Sequence, residues 1–537
     1  MLIDRIESVA NKKGTNPAIR DEVLAAAMTR RPVIIMGDVG VGKTTFLRNL
    51  IKVEAKILLQ KSIVIYIDFG KEPAVSKDLE AFFLNKCESK IRNEYNIDVD
   101  QDGFVRGVYH SELARFERGI YGGLREASPS QYEMKELEYL ADRLKDRERH
   151  LKHSFEHIAK AQKRQIVVFL DNIDQRPVEF QEQVFLIAHS LAETWPVTTF
   201  VSLRPDTFYH SRVRGTLAAY QPRVFTVSPP RLDMVIIRRF EYALKQLEDT
   251  GRLETIRGFS VESHTLIQYL KALLDSFKNS YLLMEFIDNF SGGNVREALT
   301  FVDAFVGSGH VDAQKIITKS QVKDYTISIH EFMRAVIYGD YEYFDPGSSP
   351  ICNLFDISTH DGREHFLLPN LLAVIERQGT AAEGFVDAQV LFNFAQDMGF
   401  QPTQVHFALD RSISKRLIET NPKFTANPKS VAYRITTVGA YTLHKLLRTF
   451  TYIDAVVVDT PILEQELRYS IIDTEDIVSR LKRGTFFVEY LDSQSKKLAG
   501  CNVAFDWGGC ANQLENEIRS IAVKEQTRQT RPYIRRI

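Results

Sequence analysis

The chain has 537 residues, a formal net charge of -1, 44% apolar and 26% charged residues, and 4 cysteines. That composition is ordinary for a soluble globular protein of about three or four domains with room for sizeable cores. A net charge near zero excludes a whole-molecule field that draws the chain to nucleic acid or membrane, so any basic surface has to be local.

Cys87, Cys352, Cys501 and Cys510 are scattered and match no zinc or CxxC spacing, so they read as reduced thiols of a cytosolic protein. Met1 to Ile6 lacks the long apolar segment of a signal peptide, and no run approaches the roughly 20 apolar residues that cross a bilayer. No membrane partner is expected.

Residues 1–31 read as a helical lead-in, with a helix opening at Pro17 and running through Val23, Leu24 and Ala27. Pro32-Val33-Ile34-Ile35 predicts a buried strand, and Phe46 to Ile51 the start of a helix. Between them stand Gly37, Asp38, Val39, Gly40, Val41, Gly42, Lys43, Thr44 and Thr45. Strand, glycine-rich loop and helix together are the context of a phosphate-binding P-loop. Gly37 and Gly42 are expected at backbone angles closed to other residues, so that successive N–H groups turn inward around an anion. The helix N-terminus adds partial positive charge. Lys43 is then placed for the β/γ-phosphates of a nucleotide, and the Thr44 hydroxyl for Mg²⁺. A glycine-rich turn that merely carries a lysine would not combine this spacing, these flanks and the threonine.

Ser62 to Asp68 is β-branched and apolar and predicts a second buried parallel strand. The following ninety-odd residues read as a less regular, turn-rich insertion. Within them Asp98 to Gly103 is similar to a calcium loop, but Tyr109 stands where the twelfth-position glutamate belongs, so the stretch reads as a turn. Tyr132 to Arg164 predicts strongly charged helix; Arg143, Lys145, Arg147, Arg149 and Lys152 read as a solvated face, with nucleic-acid contact as the alternative.

Gln165 to Leu170 predicts a central strand that ends in Asp171, followed by Asn172, Ile173, Asp174, Gln175 and Arg176. A carboxylate at the carboxyl end of such a strand lies where open α/β sheets bind ligands. This is a Walker B pattern, with Asp171 and Thr44 as the candidate Mg²⁺-ordering pair and Asp174 within reach of an attacking water. An acid in that place that merely caps the next element is the plain alternative. Thr198 to Leu203 predicts a further core strand, and Arg204 at its end is a candidate γ-phosphate sensor. Arg212 and Arg214, in the next loop, are candidates to reach a neighbouring subunit.

Val224 to Val227 reads as the last strand before Ser228-Pro229-Pro230 breaks the chain. A helix follows, with Met234, Ile237, Phe240, Leu244 and Leu247 along one face as core packing, and the chain to about residue 320 reads as an all-helical lid. Inside it, Asn294 and Glu297 are spaced as a capping box. Arg296 then sits in a first helical turn, where a cation is disfavoured unless an anion stands nearby. It is therefore a candidate nucleotide contact.

Together these motifs resemble the AAA+ superfamily and its STAND relatives over about residues 15–320. Gly293-Asn294-Val295-Arg296 looks like the second sensor of origin-recognition-type initiator ATPases, and Phe169 to Arg176 like the Walker B segment of KAP-type STAND ATPases. The resemblance implies an α/β fold: a P-loop NTPase parallel-sheet core (1–230) with a helical lid (231–320). It implies ATP and Mg²⁺ as cofactors, with Lys43, Asp171, Asp174 and Arg204 as catalytic residues. AAA+ enzymes usually carry a glutamate directly after the Walker B aspartate, where this chain has Asn172. Either Asp174 takes over as base or hydrolysis is slow, which suits a nucleotide-dependent switch.

Residues 321–364 read as a connector with a turn-rich Asp345 to Pro350. From 365 to 450 the chain predicts three helices, a strand at Ser430 to Thr436 and a further helix, which resembles a winged helix. Its recognition helix is expected to expose Thr403, Gln404, His406, Arg411, Lys415 and Arg416, with Lys423, Lys429 and Arg434 near the wing. Such a domain serves double-stranded DNA or protein docking. Residues 451–537 read as a mixed region with a strand-like Ala455 to Val458 and a basic tail of Arg528, Arg531, Arg535 and Arg536. The expected function is an ATP-controlled switch that couples nucleotide state to homo-oligomerisation and DNA binding. The alternative is a STAND signalling ATPase, for example in bacterial antiviral defence, that acts on a protein effector.

Overall fold

Five short stretches rich in apolar and β-branched residues pair side by side into a parallel sheet. They are β1 (Val33–Met36), β2 (Ile63–Asp68), β3 (Ile166–Asp171), β4 (Val197–Leu203) and β5 (Arg223–Thr226), in spatial order β2-β3-β4-β1-β5. The computed structural model describes residues 31–72, 78–205, 207–208, 223–250, 263–308, 316–318, 327–379, 384–420, 431–471 and 476–530. The chain divides into two compact units, Met1–Pro229 and Pro230–Ile537.

In the first unit β1 and β3 are buried along their whole length, as a strand covered on both faces must be, whereas edge strand β2 alternates buried and half-buried residues. One face of the sheet carries Ile34, Ile65, Val168 and Val201 into a core with Phe83, Phe155 and Phe185. The other carries Val33, Ile35, Phe169 and Phe200 against Leu47, just after the glycine-rich loop, in helix α1 (Lys43–Asn49).

The segment expected to be turn-rich is largely helical instead. Leu79–Tyr95 forms a helix whose buried residues, Leu79, Phe83, Cys87 and Ile91, recur every fourth position, a helical period that the polar residues between them obscured. The acidic Asp98 to Gly103 turn is held by cations: Asp98 pairs with Arg92, and Asp100 with Arg92 and Arg147. The charged stretch forms helices Pro129–Lys145 and Arg147–Ala161, and several of its cations have carboxylate partners within the chain, among them Arg143 with Glu112 and Arg147 with Glu88.

The second unit is mainly helical, with one continuous apolar core from Leu232 to Leu514. Helix α2 (Val295–Gly307) opens at Asn294, whose side chain accepts the Glu297 N–H at 3.2 Å, as the capping spacing predicts. The stretch read as connector contains α3 (Ile329–Tyr338), which buries Phe332, Met333, Val336 and Ile337. Next come α4 (Leu367–Gln378), β6 (Val386–Asp387), α5 (Ala388–Asp397), α6 (Pro402–Ser414), β7 (Ile418–Thr420) and β8 (Ala432–Ile435). The three strands form an antiparallel sheet in the order β6-β8-β7. Ala455 to Val458 is not a strand: its first residues end α7 (Phe450–Val456), a helix buried on all sides. An all-apolar run of that length has no period to separate buried helix from buried strand. The C-terminal part continues with α8 (Ile477–Lys496) and a helix Trp507–Thr530.

The residues 1–30 lead-in, Arg212, Arg214, Lys423, Lys429, Arg531, Arg535 and Arg536 lie outside the described residues.

His365 is fully buried, with Nδ1 against the Phe355 carbonyl and Nε2 3.0 Å from the Tyr490 hydroxyl. Burial disfavours its charged form and lowers its pKa from 6.5 to about 4. Between those values the unfolded chain holds a proton that the folded chain refuses, so His365 makes stability fall as pH drops from about 6.5 towards about 4. Denaturant midpoints over that range should decline less steeply for His365→Phe than for the parent chain; equal slopes would contradict the assignment.

Candidate functional site at the carboxyl edge of the sheet

Strand order brings the three motifs of the first unit together. β4 pairs with β1 on one side and β3 on the other, all parallel, so Leu203, Met36 and Asp171 end at the same edge of the sheet. The glycine-rich loop leaves β1 with the Gly37 N–H donating to the Leu203 carbonyl at 3.2 Å, which extends that pairing by one step.

Gly40 and Gly42 have φ of 78° and 93°, left-handed values that favour glycine. Gly37 is not in that region, and its need is spatial instead: a Cβ there would meet Val41 Cγ2 at 2.9 Å and the Val227 carbonyl at 3.3 Å. Gly42 is the N-cap of α1 and no side chain caps that end. Asp38, Val39 and Thr45 are exposed, whereas Val41 packs inward.

Lys43 is 8% exposed and turns back over the loop. Its Nζ donates to the Gly37 carbonyl at 2.6 Å and the Asp38 carbonyl at 3.3 Å, and it meets Asp174 Oδ2 at 3.4 Å. The same Asp174 oxygen accepts from Arg204 Nε at 2.8 Å. Asp174 is thus shared by two cations, one from each motif that flanks it. Asp171 is fully buried; its Oδ2 accepts from the Tyr66 hydroxyl at 2.5 Å, and its Oδ1 has no hydrogen-bond partner. A buried carboxylate oxygen left without a donor fits a metal-bound water or cation. Burial and the Asp171 carboxylate beside it push the Tyr66 phenol well above its ordinary pKa, so Tyr66 remains a donor.

Asn172 takes a left-handed conformation, φ 58°, which asparagine tolerates better than most residues. Its Nδ2 donates to Asp68 Oδ1 at 2.6 Å, and its Oδ1 accepts from the Thr44 hydroxyl at 3.3 Å. The residue that breaks the AAA+ pattern therefore ties β2, β3 and α1 together. Arg176 binds the Phe69 and Glu72 carbonyls, which clamps the turn after β2 against the turn after β3.

Lys43, Thr44, Asp171, Asp174 and Arg204 all meet at this edge. Arg296 belongs to the second unit, where it is exposed in the first turn of α2. Tyr66, Asp68 and Asn172 had no expected role in holding the site. The available signal was in β2, where a tyrosine and an aspartate interrupt an otherwise apolar strand near its carboxyl end.

The helix expected to expose a recognition face, α6, departs from that expectation. Gln404 is buried, bonded to Glu364 at 2.9 Å and Thr359 at 3.1 Å. Arg411 pairs with Asp356, Lys415 donates to the Ser349 carbonyl at 2.7 Å, Arg416 pairs with Glu297 at 2.7 Å, and Arg434 pairs with Glu419. The Glu297 carboxylate accordingly reaches Arg416. What α6 leaves exposed is Pro402, Thr403, His406, Phe407, Asp410, Ile413 and Ser414. Spacing alone could not foresee this, because the partners lie far away in sequence.

Replacing Tyr66 by Phe removes the donor to Asp171 Oδ2 inside the sheet edge. The expected loss is about 1–3 kcal/mol of stability, read as a lower denaturant midpoint; an unchanged midpoint would show the contact to be dispensable.

No protein-family model matches the chain, and no curated protein matches it in sequence. Among solved structures it is similar to the Aeropyrum pernix ORC2 protein in its ADP form, at 14% identity and a TM-score of 0.36, over 81% of this chain and 95% of that one. It is also similar to Cdc6p from Pyrobaculum aerophilum, at 12% identity and a TM-score of 0.28, over 82% of this chain and 97% of that one. A third similarity is to Drosophila ORC bound to DNA, at 12% identity and a TM-score of 0.27, over 79% of this chain and 92% of that one. Similarity this distant leaves the reading of the site to its own geometry.

Proposed function

We propose that this chain is a Mg²⁺-dependent ATP-binding and hydrolysing switch with slow turnover. The observation that carries the reading is the shared contact of Asp174 with Lys43 and Arg204 beside a glycine-rich loop that no side chain caps. The uncapped N–H groups of the loop and of α1 would hold the phosphates. The three donors of Lys43 are spent on Gly37, Asp38 and Asp174, so an incoming phosphate exchanges some of these contacts and loosens Lys43 from Asp174. Asp174, still oriented by Arg204, is then free to accept a proton from the attacking water. Asn172 cannot serve as that base, because its amide is neutral and already bonded to Asp68 and Thr44.

Thr44 and the unpartnered oxygen of Asp171 are the groups that would hold Mg²⁺. When bound, the ion neutralises phosphate charge and orients the leaving group. Arg296 would report nucleotide state to the helical lid, and oligomerisation would follow from that state.

For the output, the first reading is double-stranded DNA bound through the winged-helix region. A second reading, a protein effector, is favoured by α6: Arg411, Lys415 and Arg416 are engaged within the chain, while Phe407 and Ile413, 38% and 39% exposed, flank Asp410 on its outer face. An apolar face with an acid at its centre suits a protein better than a phosphate backbone.

Lys43→Ala should abolish ATP binding in an equilibrium titration, and Asp171→Ala should abolish hydrolysis. Asp174→Asn should keep ATP binding and lower kcat about 10²–10⁴-fold, the usual worth of a positioned base. Full turnover in these variants would remove the site assignment. Duplex DNA titrated with ATP or ADP at two salt concentrations separates the outputs: affinity that falls steeply with salt supports DNA. No binding in either nucleotide state moves the output to a protein.

A further inference from the structure

In the second unit, α3, α7 and α8 bring an unbalanced set of charges together. Asp454 of α7 is 1% exposed. Arg480 Nε donates to its Oδ2 at 2.9 Å, and Arg483 Nη2 to its Oδ1 at 2.6 Å. Arg334 of α3 joins them, its guanidinium 5.6 Å from the Tyr338 ring centre and within electrostatic reach of Arg480, Arg483 and Asp454. Among the described residues Asp454 is the only carboxylate in ion-pair contact with any of the three arginines. Arginine stays protonated in proteins, so two positive charges are left uncompensated.

Donors are left over as well as charge. Arg334 Nε and Arg483 Nε are both buried without a hydrogen-bond partner, and Arg483 is 6% exposed. Arg334 makes no ion pair or side-chain hydrogen bond among the described residues, only its contact with Tyr338. A half-buried, unbonded guanidinium beside two like charges is destabilising by itself. Its place between packed helices calls for a counter-charge. Arg334 and Arg480 are partly exposed, so the cluster opens to solvent on one side.

We propose that Arg334, Arg480 and Arg483 form an anion site for a phosphomonoester, with Asp454 orienting two of the guanidiniums. Two surplus charges match a phosphate dianion rather than the single charge of a phosphodiester link, and planar guanidinium donors suit its oxygens. The site lies in the second unit and is independent of the ATP reading.

The test uses the full chain carrying Lys43→Ala, so that the glycine-rich loop does not contribute. Thermal midpoints are followed against sodium phosphate and against sodium chloride at matched ionic strength. A ligand that binds only the folded state raises the midpoint with its concentration. The expected result is a rise specific to phosphate, with Arg334→Gln weakening the apparent affinity on the order of tenfold and Arg334→Lys restoring part of it. In the absence of phosphate, Arg334→Gln should be no less stable than its parent, because it removes an uncompensated charge. Equal response to phosphate and chloride, or a phosphate response unchanged by Arg334→Gln, would overturn the proposal. AMP and phosphoserine, each against its unphosphorylated form, identify the source: a response to AMP assigns the phosphate to a nucleotide-like metabolite, and one to phosphoserine alone assigns it to a modified side chain.

Discussion

The carboxyl edge of the sheet depends on β4 being hydrogen-bonded to β1 on one side and β3 on the other. Parallel pairing leaves no freedom in which ends meet: all these strands finish together, and a residue just past each finish can touch its neighbour. Hence Lys43, which follows β1, Asp174, which follows β3, and Arg204, which follows β4, converge although more than a hundred residues separate the first from the second. Placing β4 elsewhere in the sheet would leave Asp174 without one of its two cations.

That convergence is supported from behind by polar contacts as well as by packing. Tyr66 holds one oxygen of Asp171, Asp68 holds Asn172, and Asn172 holds Thr44. In a buried setting each such bond matters most by what its loss leaves unpaired. The chain of contacts runs from edge strand β2 through β3 to the first turn of α1. It gives Asn172 a positioning part in a place where related patterns carry an acid.

In the second unit, cations have two fates. Arg411, Lys415, Arg416 and Arg434 are paired with carboxylates or carbonyls of the chain, so part of the positive charge that the sequence suggests is spent within it. Arg480 and Arg483 share the Asp454 carboxylate, and Arg334 beside them has no ion pair, so among the described residues the three keep a surplus. Counting lysines and arginines along a stretch therefore misjudges both surfaces, because what a ligand meets is the charge left after intrachain pairing.

The chain by itself determined the elements whose signal is local. Every strand of the parallel sheet carries its own cluster of apolar or β-branched residues, the glycine-rich loop is contiguous, and Asn294 caps the helix it precedes by its own side chain. Where local period was diluted, as in Leu79–Tyr95, or absent, as in the wholly buried Phe450–Val456, helices read as irregular or strand-like. Only the tertiary structure decided strand order, the sharing of Asp174, the bonding of Asn172, the paired cations of α6 and the charge surplus around Asp454. Each of these is a contact between groups far apart in sequence, and no spacing rule along the chain encodes which distant partner a side chain will meet.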